Sequence, residues 1–333
     1  MNWKKHIRWI LPILIAVLLF VFLRQFDFNA LGTQLQQLGW KVFWILPITL
    51  VGHILATISW AFCFAPGSRK VGIFELFVIR LIGESVALIN PSNSVAGDTL
   101  KGVMINKRGG NWISSGSSVT IYRLLIFVSA AVLPLFALPF LPAHDFFQWL
   151  FTIAAIGFAG IIFSLYYSVK SEKHLLSRFV SKVSNRFFKE TLAKFSKRIR
   201  IIEKSIGSFG RKYPRRLDAA FILALIHWLS GTFEIYLIAV LLNVPLSLTE
   251  CLIIEMGMML FRNMGSFVPG QLGFEELGSK LMTEWLLVGF GWFWLALSLL
   301  RRGRQLFWLA LGLIAWFFYQ RILSTNKQSI QTL

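Results

Sequence analysis

Long apolar runs constrain this chain more than any other feature of its sequence. Each run holds roughly 20 residues, the length that crosses about 30 Å of hydrocarbon as an α-helix. The runs lie near Trp9 to Leu23, Val42 to Phe64, Ser117 to Phe140, Phe147 to Val169, Leu217 to Leu242 and Gln305 to Ile322. Because backbone polar groups find no water inside a bilayer, such spans are helical. The sequence therefore predicts an all-α, polytopic helical membrane protein with about 6–8 spanning helices.

The first run raises the question of a signal peptide, because Lys4, Lys5 and Arg8 precede it. No small-residue cleavage site follows, and Arg24 comes soon after its apolar core. We therefore interpret the run as an uncleaved anchor, so that residues 1–333 form a single integral membrane domain.

Two further apolar segments share one pattern, in which the segment stops at a proline and resumes after a glycine with a carboxylate. The first passes through Asn90, Pro91, Gly97, Asp98 and Lys101. The second passes through Arg262, Asn263, Pro269, Gly270, Gly273, Glu275 and Glu276. Non-helical backbone survives at membrane depth only where protein or water satisfies it, so repeated breaks are typical of transporter cavities. The pattern favours transport over catalysis.

Basic residues predict which parts of the chain face the cytoplasm. Of 34 Lys and Arg residues, 15 fall in residues 170–216. By the positive-inside rule this segment and the N-terminus are cytoplasmic, at the inner membrane of the cell. Apolar residues recur in the segment at steps of three and four, which predicts amphipathic helices on the anionic inner leaflet, although a plain connection between spans fits equally well. The net charge of +19 thus reflects topology rather than nucleic-acid binding.

The same rule predicts re-entrant hairpins. Basic pairs flank the first break at residues 69–70 and 107–108, so residues 73–106 enter and leave by the cytoplasmic face. If residues 249–290 are their counterpart, they enter from the outer face. The two segments then form inverted repeats whose breaks meet near the midplane.

The last span gives no clear orientation. Arg301, Arg302 and Arg304 lie at one of its ends, and Arg321 and Lys327 lie at the other. The side of the C-terminus stays open, as does the oligomeric state.

Charged side chains at membrane depth are functional candidates, because they are costly unless they are paired or hydrated. The set is Glu84, Asp98, Lys101, Arg123, Glu234, Glu255, Arg262, Glu275 and Glu276. Helical spacing places Arg80 beside Glu84, and Asp98 beside Lys101. For these pairs, structural neutralisation is as good an interpretation as function.

A third possible pair is more widely spaced. Glu255 and Arg262 are seven residues apart, so they share a helical face, but we expect no direct contact between them.

The helices that restart at Gly97 and Gly273 make the most specific prediction. Each aims free N–H groups and the positive end of its dipole toward the break, which favours an anion such as a lipid phosphate. Asp98 and the glutamates at 275–276 occupy the same first turns, where carboxylates ordinarily act as caps. An anionic headgroup then needs cations to offset them, for which the candidates are Lys101, Arg123 and Arg262. Protonated carboxylates would instead couple transport to protons.

Other polar side chains are predicted to pack rather than react. His53 and His227 lie in apolar runs, where hydrogen bonds between helices are favoured over a proton relay. Cys63 and Cys251 fit the role of small core side chains. The chain lacks the CxxC, HExxH, GxxxxGK[ST] and GxSxG patterns, so it is predicted to have no cofactor, no metal site and no catalytic residue.

Three short motifs follow one another along the chain. They are Pro91 with Gly97-Asp98-x-x-Lys101, then Tyr122-Arg123-Leu124-Leu125, then Pro269-Gly270-x-x-Gly273-x-x-Glu276. In this order and within this hydropathy profile they resemble the transmembrane, flippase-like domain of lysylphosphatidylglycerol synthases. That family also includes stand-alone inner-membrane proteins without the synthase portion, and this chain is expected to be one of them.

The chain departs from the family's motifs at three positions. Tyr122 replaces the usual acid before Arg123, and Ile126 stands where the family often has Asp. Gln271 replaces one glycine of the Pro-Gly-Gly-Leu-Gly motif. Any ion pair of Arg123 must therefore be formed with another part of the chain.

The resemblance implies translocation of an aminoacylated or otherwise modified phospholipid, or of a polyprenyl or hopanoid lipid, between leaflets. The prolines would open the helices, the glycines would allow close backbone approach, and the cations would contact an anionic phospholipid or lipid-phosphate headgroup. One alternative is an accessory membrane subunit that docks a cytoplasmic lipid-modifying enzyme. Another is a membrane-embedded lipid transferase with Asp98 or Glu276 as general base. The lipid, the direction and the energy source are left open.

Overall fold

The computed structural model describes residues 38–89, 94–140, 148–149, 152–153, 156–157, 160, 208–265, 271, 273–286 and 290–331. Throughout these residues the regular structure is helical and no strand occurs, which confirms the all-α prediction. Several predicted features lie outside the described residues: the run from Trp9 to Leu23, most of the run from Phe147 to Val169, residues 170–207, and Asn90, Pro91, Pro269 and Gly270.

Eight α-helices build the described architecture. They are α1 (Ile45–Phe62), α2 (Ile73–Ile89), α3 (Ser94–Lys107), α4 (Trp112–Ala137), α5 (Pro214–Leu241), α6 (Leu248–Met264), α7 (Phe274–Leu286) and α8 (Phe293–Gln331). A 3-10 helix at Gly39–Trp44 leads into α1, and another at Leu138–Phe140 follows α4. One order therefore occurs twice: a first helix, a hairpin of two short helices, and a long last helix.

Within the described residues, three helical segments are long and apolar enough to cross a membrane: Gly39–Phe62, Trp112–Phe140 and Pro214–Leu241. They coincide with three of the predicted runs, which confirms those predictions. Helix α8 differs, because it is continuous from Phe293 rather than beginning near Gln305. The predicted boundary is wrong because the arginines before Gln305 are paired with carboxylates and do not end the helix.

Helices α1 and α5 pack against each other in antiparallel directions. Gly52 of α1 faces Ser230 of α5, whereas Ser59, later in α1, donates a hydrogen bond to the carbonyl of Ala220, earlier in α5, at 2.7 Å. A Cβ on Gly52 would lie 2.4 Å from Ser230 Oγ, so this glycine lets the two helices approach closely. The first helices of the two halves thus have the antiparallel relation that inverted repeats require.

Each half contains a hairpin that packs against the last helix of the other half. Helix α8 runs along α2 of the first hairpin, and α6 of the second hairpin packs beside α4. Inside the first hairpin, a Cβ on Gly97 would lie 2.2 Å from the carbonyl oxygen of Gly83. The hairpins correspond to the segments predicted at 73–106 and 249–290, and their re-entry from opposite membrane faces stays a prediction.

The close contact between Gly97 and the carbonyl of Gly83 leads to a testable prediction. We expect Gly97→Ala to lower the free energy of unfolding by about 1–3 kcal/mol, because the added methyl group meets backbone that no rotamer change can move. Gly102→Ala on the same helix is the matched control, since a Cβ there meets nothing within 4 Å. Alanine favours a helix over glycine by about 1 kcal/mol, so the control should be neutral or stabilised. Denaturant unfolding in micelles measures both, and equal stabilities would contradict the close contact.

Two helices of the second half begin at recognisable sequence signals. Pro214 opens α5, where its missing N–H costs nothing. Ser247 and Glu250 form a capping box at the start of α6, with the Ser247 backbone N–H donating to Glu250 at 2.8 Å. The capping box therefore marks where the second hairpin starts.

The predicted start of the third helix is wrong. Helix α3 begins at Ser94, three residues before Gly97, so Val95 and Ala96 are also helical. Both of these residues are compatible with a helix. Gly97 and Asp98 therefore lie within the helix, and Asp98 is not a first-turn cap.

One end of the molecule gathers several basic side chains. Arg216 of α5 donates to the last carbonyls of α1 at 3.2 and 3.3 Å. Arg108, just after α3, pairs with Glu75 of α2 at 2.7 Å and donates to the hydroxyl of Tyr319 at 3.2 Å. The C-terminal part of α8 therefore lies at the same end as the basic residues that follow α3.

Candidate functional site

A cavity of about 340 Å³ lies among helices of both halves, and we call it the central cavity. Its charged lining consists of Arg80, Glu84, Lys101, Arg123, Arg262 and Arg304. Its other polar and aromatic lining includes Ser85, His53, Tyr122, His227, Trp228, Gln271, Gln305 and Trp308. Glu84 and Lys101 come from the first broken segment, and Arg262 and Gln271 come from the second. Both broken segments therefore contribute side chains to one cavity, a point that the sequence left open.

Arg80 is held from three sides at the wall of this cavity. It forms the predicted ion pair with Glu84 at 2.7 Å, and its Nε donates to the hydroxyl of Tyr122 at 3.0 Å. Its third contact is with His53, whose carbonyl accepts a hydrogen bond at 3.1 Å. Tyr122, the residue that replaces an acid in the motif, thus binds a cation through its hydroxyl.

Arg123 finds its partner in the first broken segment. Its guanidinium donates two hydrogen bonds to the carboxylate of Asp98, at 2.7 and 2.9 Å. Lys101 lies 3.2 Å from the same carboxylate, as its spacing predicts. Asp98 is therefore shared by two cations, while the side chain of Arg123 stays 44% exposed and borders the cavity. A bidentate pair of this kind fixes geometry as well as charge.

A second set of charges, half of them fully buried and half partly buried, lies where α5, α6, α7 and α8 meet. Its carboxylates are Glu234, Glu255, Glu275 and Glu276, and its arginines are Arg262, Arg301, Arg302 and Arg304. Arg301 lies at the centre with its side chain only 3% exposed, and it contacts Glu255 directly. Glu234 and Glu275 lie 3.5 and 4.0 Å from it.

The sequence did not predict part of this cluster. It placed Arg301, Arg302 and Arg304 at the end of a span, whereas they lie within α8 and are paired. It was also wrong about Glu255 and Arg262, which are in direct contact at 3.2 Å. A long helical side chain points back toward the helix N-terminus, so Arg262 reaches over two turns. The sequence signal that could have predicted this cluster is the presence of three arginines within four positions of an otherwise apolar helix.

Glu276 performs the capping role predicted for it. Its carboxylate accepts a hydrogen bond from the backbone N–H of Gly273 at 2.8 Å, just before α7 begins. Its other oxygen accepts from Arg302 of α8 at 2.7 Å. In each half, a carboxylate of the second hairpin helix thus pairs with an arginine of the following long helix. Asp98 with Arg123 is the pair in the first half.

The positive and negative side chains around the cavity are unequal in number. The second cluster holds four carboxylates and four arginines, which cancel. The first cluster holds three cations, Arg80, Lys101 and Arg123, against Glu84 and Asp98. With neutral histidines, the described clusters carry one positive charge in excess. An unbalanced charge among packed membrane helices favours binding of one anion.

The remaining predicted residues have other places. Gly273 adopts φ +84°, a conformation that favours glycine, so its role is to let α7 begin. Gly97 packs against backbone, as described above. Glu275 lies within the arginine cluster, and Asn263 is exposed and is not among the residues that line the central cavity.

The two histidines lie near the crossing of α1 and α5. His227 Nδ1 lies 2.9 Å from the carbonyl oxygen of Gly52, a hydrogen bond between helices that fits the predicted packing role. His53 contacts Arg80 and packs edge-on against Trp308, with ring centroids 4.6 Å apart. Both rings also border the central cavity.

Comparison with known proteins adds one finding. A family model described as the lysylphosphatidylglycerol synthase TM region matches residues 9–312. No curated protein matches the chain, and no solved structure does.

Proposed function

The chain belongs to the family of the lysylphosphatidylglycerol synthase TM region, and from this premise we propose that it moves an anionic lipid between the two leaflets of a membrane. The headgroup enters the central cavity, while the hydrocarbon chains stay in the surrounding bilayer. The protein is thus a lipid flippase or lipid transporter rather than an enzyme.

The charge of the central cavity supports this proposal most directly. Five cations line it, namely Arg80, Lys101, Arg123, Arg262 and Arg304, against the single carboxylate of Glu84. Partner carboxylates lie behind most of these cations and leave one positive charge in excess. A phosphodiester carries one negative charge, so one lipid headgroup balances the site. A headgroup with net positive charge would be repelled.

Helix length supports re-entrance of the two hairpins. The four hairpin helices contain 13 to 17 residues. At 1.5 Å per residue each spans about 20–26 Å, which is less than the roughly 30 Å of hydrocarbon. We propose that each hairpin enters and leaves by one face of the membrane. Such inverted hairpins provide alternating access to a midplane site.

Basic residues orient the molecule in this proposal. The end that carries Arg108 and Arg216 faces the cytoplasm at the inner membrane, by the positive-inside rule. Because Tyr319 contacts Arg108, the C-terminal part of α8 faces the same side. This assignment supplies the orientation that the charges around the last span left open.

Translocation by purified protein in liposomes tests the proposal. The liposomes carry fluorescent lipids whose headgroups are anionic, zwitterionic or cationic, and dithionite bleaches the outer leaflet. We expect the protein to expose the anionic lipid fastest. Arg123→Gln should slow that lipid by about 10–100-fold, the loss of one charge-assisted hydrogen bond. Arg108→Gln, which removes a cation outside the cavity, is the matched control and should keep the wild-type rate.

Two outcomes of this assay would favour an alternative function over lipid transport. If the folded protein moves no headgroup class, transport is contradicted and the accessory-subunit alternative gains weight. If the protein forms a new lipid product in detergent, where no leaflets exist, the transferase alternative is favoured instead.

A further inference from the structure

Gln271 has an unusual backbone conformation for its residue type. Its φ is +54°, in the left-handed region that favours glycine. Among the described residues, only one other non-glycine residue has a positive φ, and that is Asn243 at +53° in the turn after α5. Asparagine tolerates this region through local hydrogen bonds of its short side chain, whereas the longer glutamine gains no such compensation.

The side chain of Gln271 borders the central cavity. Its amide offers two hydrogen-bond donors and one acceptor oxygen. No hydrogen bond joins this amide to any of the described residues. It is therefore a neutral hydrogen-bonding group in a cavity whose other polar lining is either charged or already hydrogen-bonded.

We propose that Gln271 is a specificity-determining residue that binds a hydroxyl group of the lipid headgroup. This inference rests on the proposed function and deepens it. The cations of the cavity fix the phosphate, and they do not distinguish one phosphodiester from another. The amide of Gln271 forms hydrogen bonds with the headgroup substituent beyond the phosphate. A hydroxyl suits this amide because a hydroxyl both donates and accepts hydrogen bonds. An ammonium group fits less well in a cavity lined by five cations.

The backbone conformation of Gln271 is a second observation that supports this assignment. A glycine at position 271 would adopt the same conformation without steric cost. The glutamine is therefore held in a disfavoured conformation, and its amide, which has no partner among the described residues, lies at the cavity. A backbone outlier of this kind, found beside a candidate site, supports a role in binding.

The experiment compares two lipids of equal charge, phosphatidylglycerol and phosphatidylmethanol, which differ in headgroup hydroxyls. Both are measured in the liposome assay with wild-type protein, Gln271→Gly and Asn243→Gly. We expect wild-type protein to move phosphatidylglycerol about 5–10-fold faster, as one hydrogen bond allows. Gln271→Gly should bring the ratio close to one, with phosphatidylmethanol moved at the wild-type rate. Asn243→Gly relieves the same kind of backbone strain at a residue that does not line the cavity, and it should keep the wild-type ratio.

Thermal unfolding with each lipid added gives a second readout that does not need transport. Wild-type protein should gain a larger shift in melting temperature from phosphatidylglycerol than from phosphatidylmethanol, and Gln271→Gly should lose the difference. An unchanged rate ratio and an unchanged shift in Gln271→Gly would overturn the inference. If wild-type protein moves neither lipid, the proposed function fails, and the melting shifts alone decide the role of Gln271.

Discussion

Replacing Arg301 with methionine is expected to be the most damaging single change for folding. The Arg301 side chain is 3% exposed and is the cation nearest to Glu255, with Glu234 and Glu275 within 4.0 Å. Removing one partner of a buried ion pair costs about 3–5 kcal/mol, because the remaining charge is left uncompensated. The free energy of unfolding in detergent or nanodiscs, measured with a denaturant series, reports this loss.

An exposed ion pair gives the matched control. Glu284 lies 3.8 Å from Lys280 on α7 with its side chain 45% exposed, so Glu284→Gln should cost less than about 1 kcal/mol. Adding Glu255→Gln to Arg301→Met should recover part of the lost stability, since it removes one uncompensated carboxylate. A single Arg301→Met variant as stable as wild type would show that Arg301 does not hold the cluster.

Reversing the charge of Arg123 is expected to abolish the proposed transport of an anionic lipid. In the wild-type protein Arg123 forms a bidentate pair with Asp98. Arg123→Glu replaces that pair with two neighbouring carboxylates. It also turns the excess charge of the first cluster from positive to negative, so the headgroup is repelled. The liposome assay should show no translocation above empty liposomes, while unfolding shows a folded protein of lower stability.

A charge swap separates the two roles of Arg123. The double variant Asp98→Arg with Arg123→Asp restores opposite charges across α3 and α4, so stability should return toward the wild-type value. Transport should stay low, because the cation then no longer lies at the wall of the central cavity. Full recovery of transport would instead mean that Arg123 acts only as the partner of Asp98.

The apolar runs predicted the spanning helices because the physics involved is local. A run such as Val42 to Phe64 contains enough apolar length to cross a bilayer, and no distant residue is needed to decide that. Short-range spacing worked for the same reason at Arg80 and Glu84, which are neighbours on one helix face wherever that helix packs.

The arginines of α8 could not be placed in this way. Hydropathy treats three clustered cations as the end of a span, and only the tertiary structure brings Glu234, Glu255 and Glu275 to them. The pairing of Arg123 with Asp98 likewise joins two helices whose contact the sequence did not specify. The ion pairs between different helices are thus the part of the site that could be assigned only from the three-dimensional structure.

The single excess charge of the central cavity has an electrical consequence. An aqueous cavity that opens to one side of a membrane takes the potential of that side, so a change of access moves the cavity's charge through the field. With an anionic headgroup bound, the loaded site is neutral and its step is insensitive to voltage. The empty site carries one positive charge, for which 100 mV is worth about 2.3 kcal/mol. If the proposed transport carries the lipid outward, an inside-negative potential would therefore draw the empty site back to the cytoplasmic side and favour the return half of the cycle.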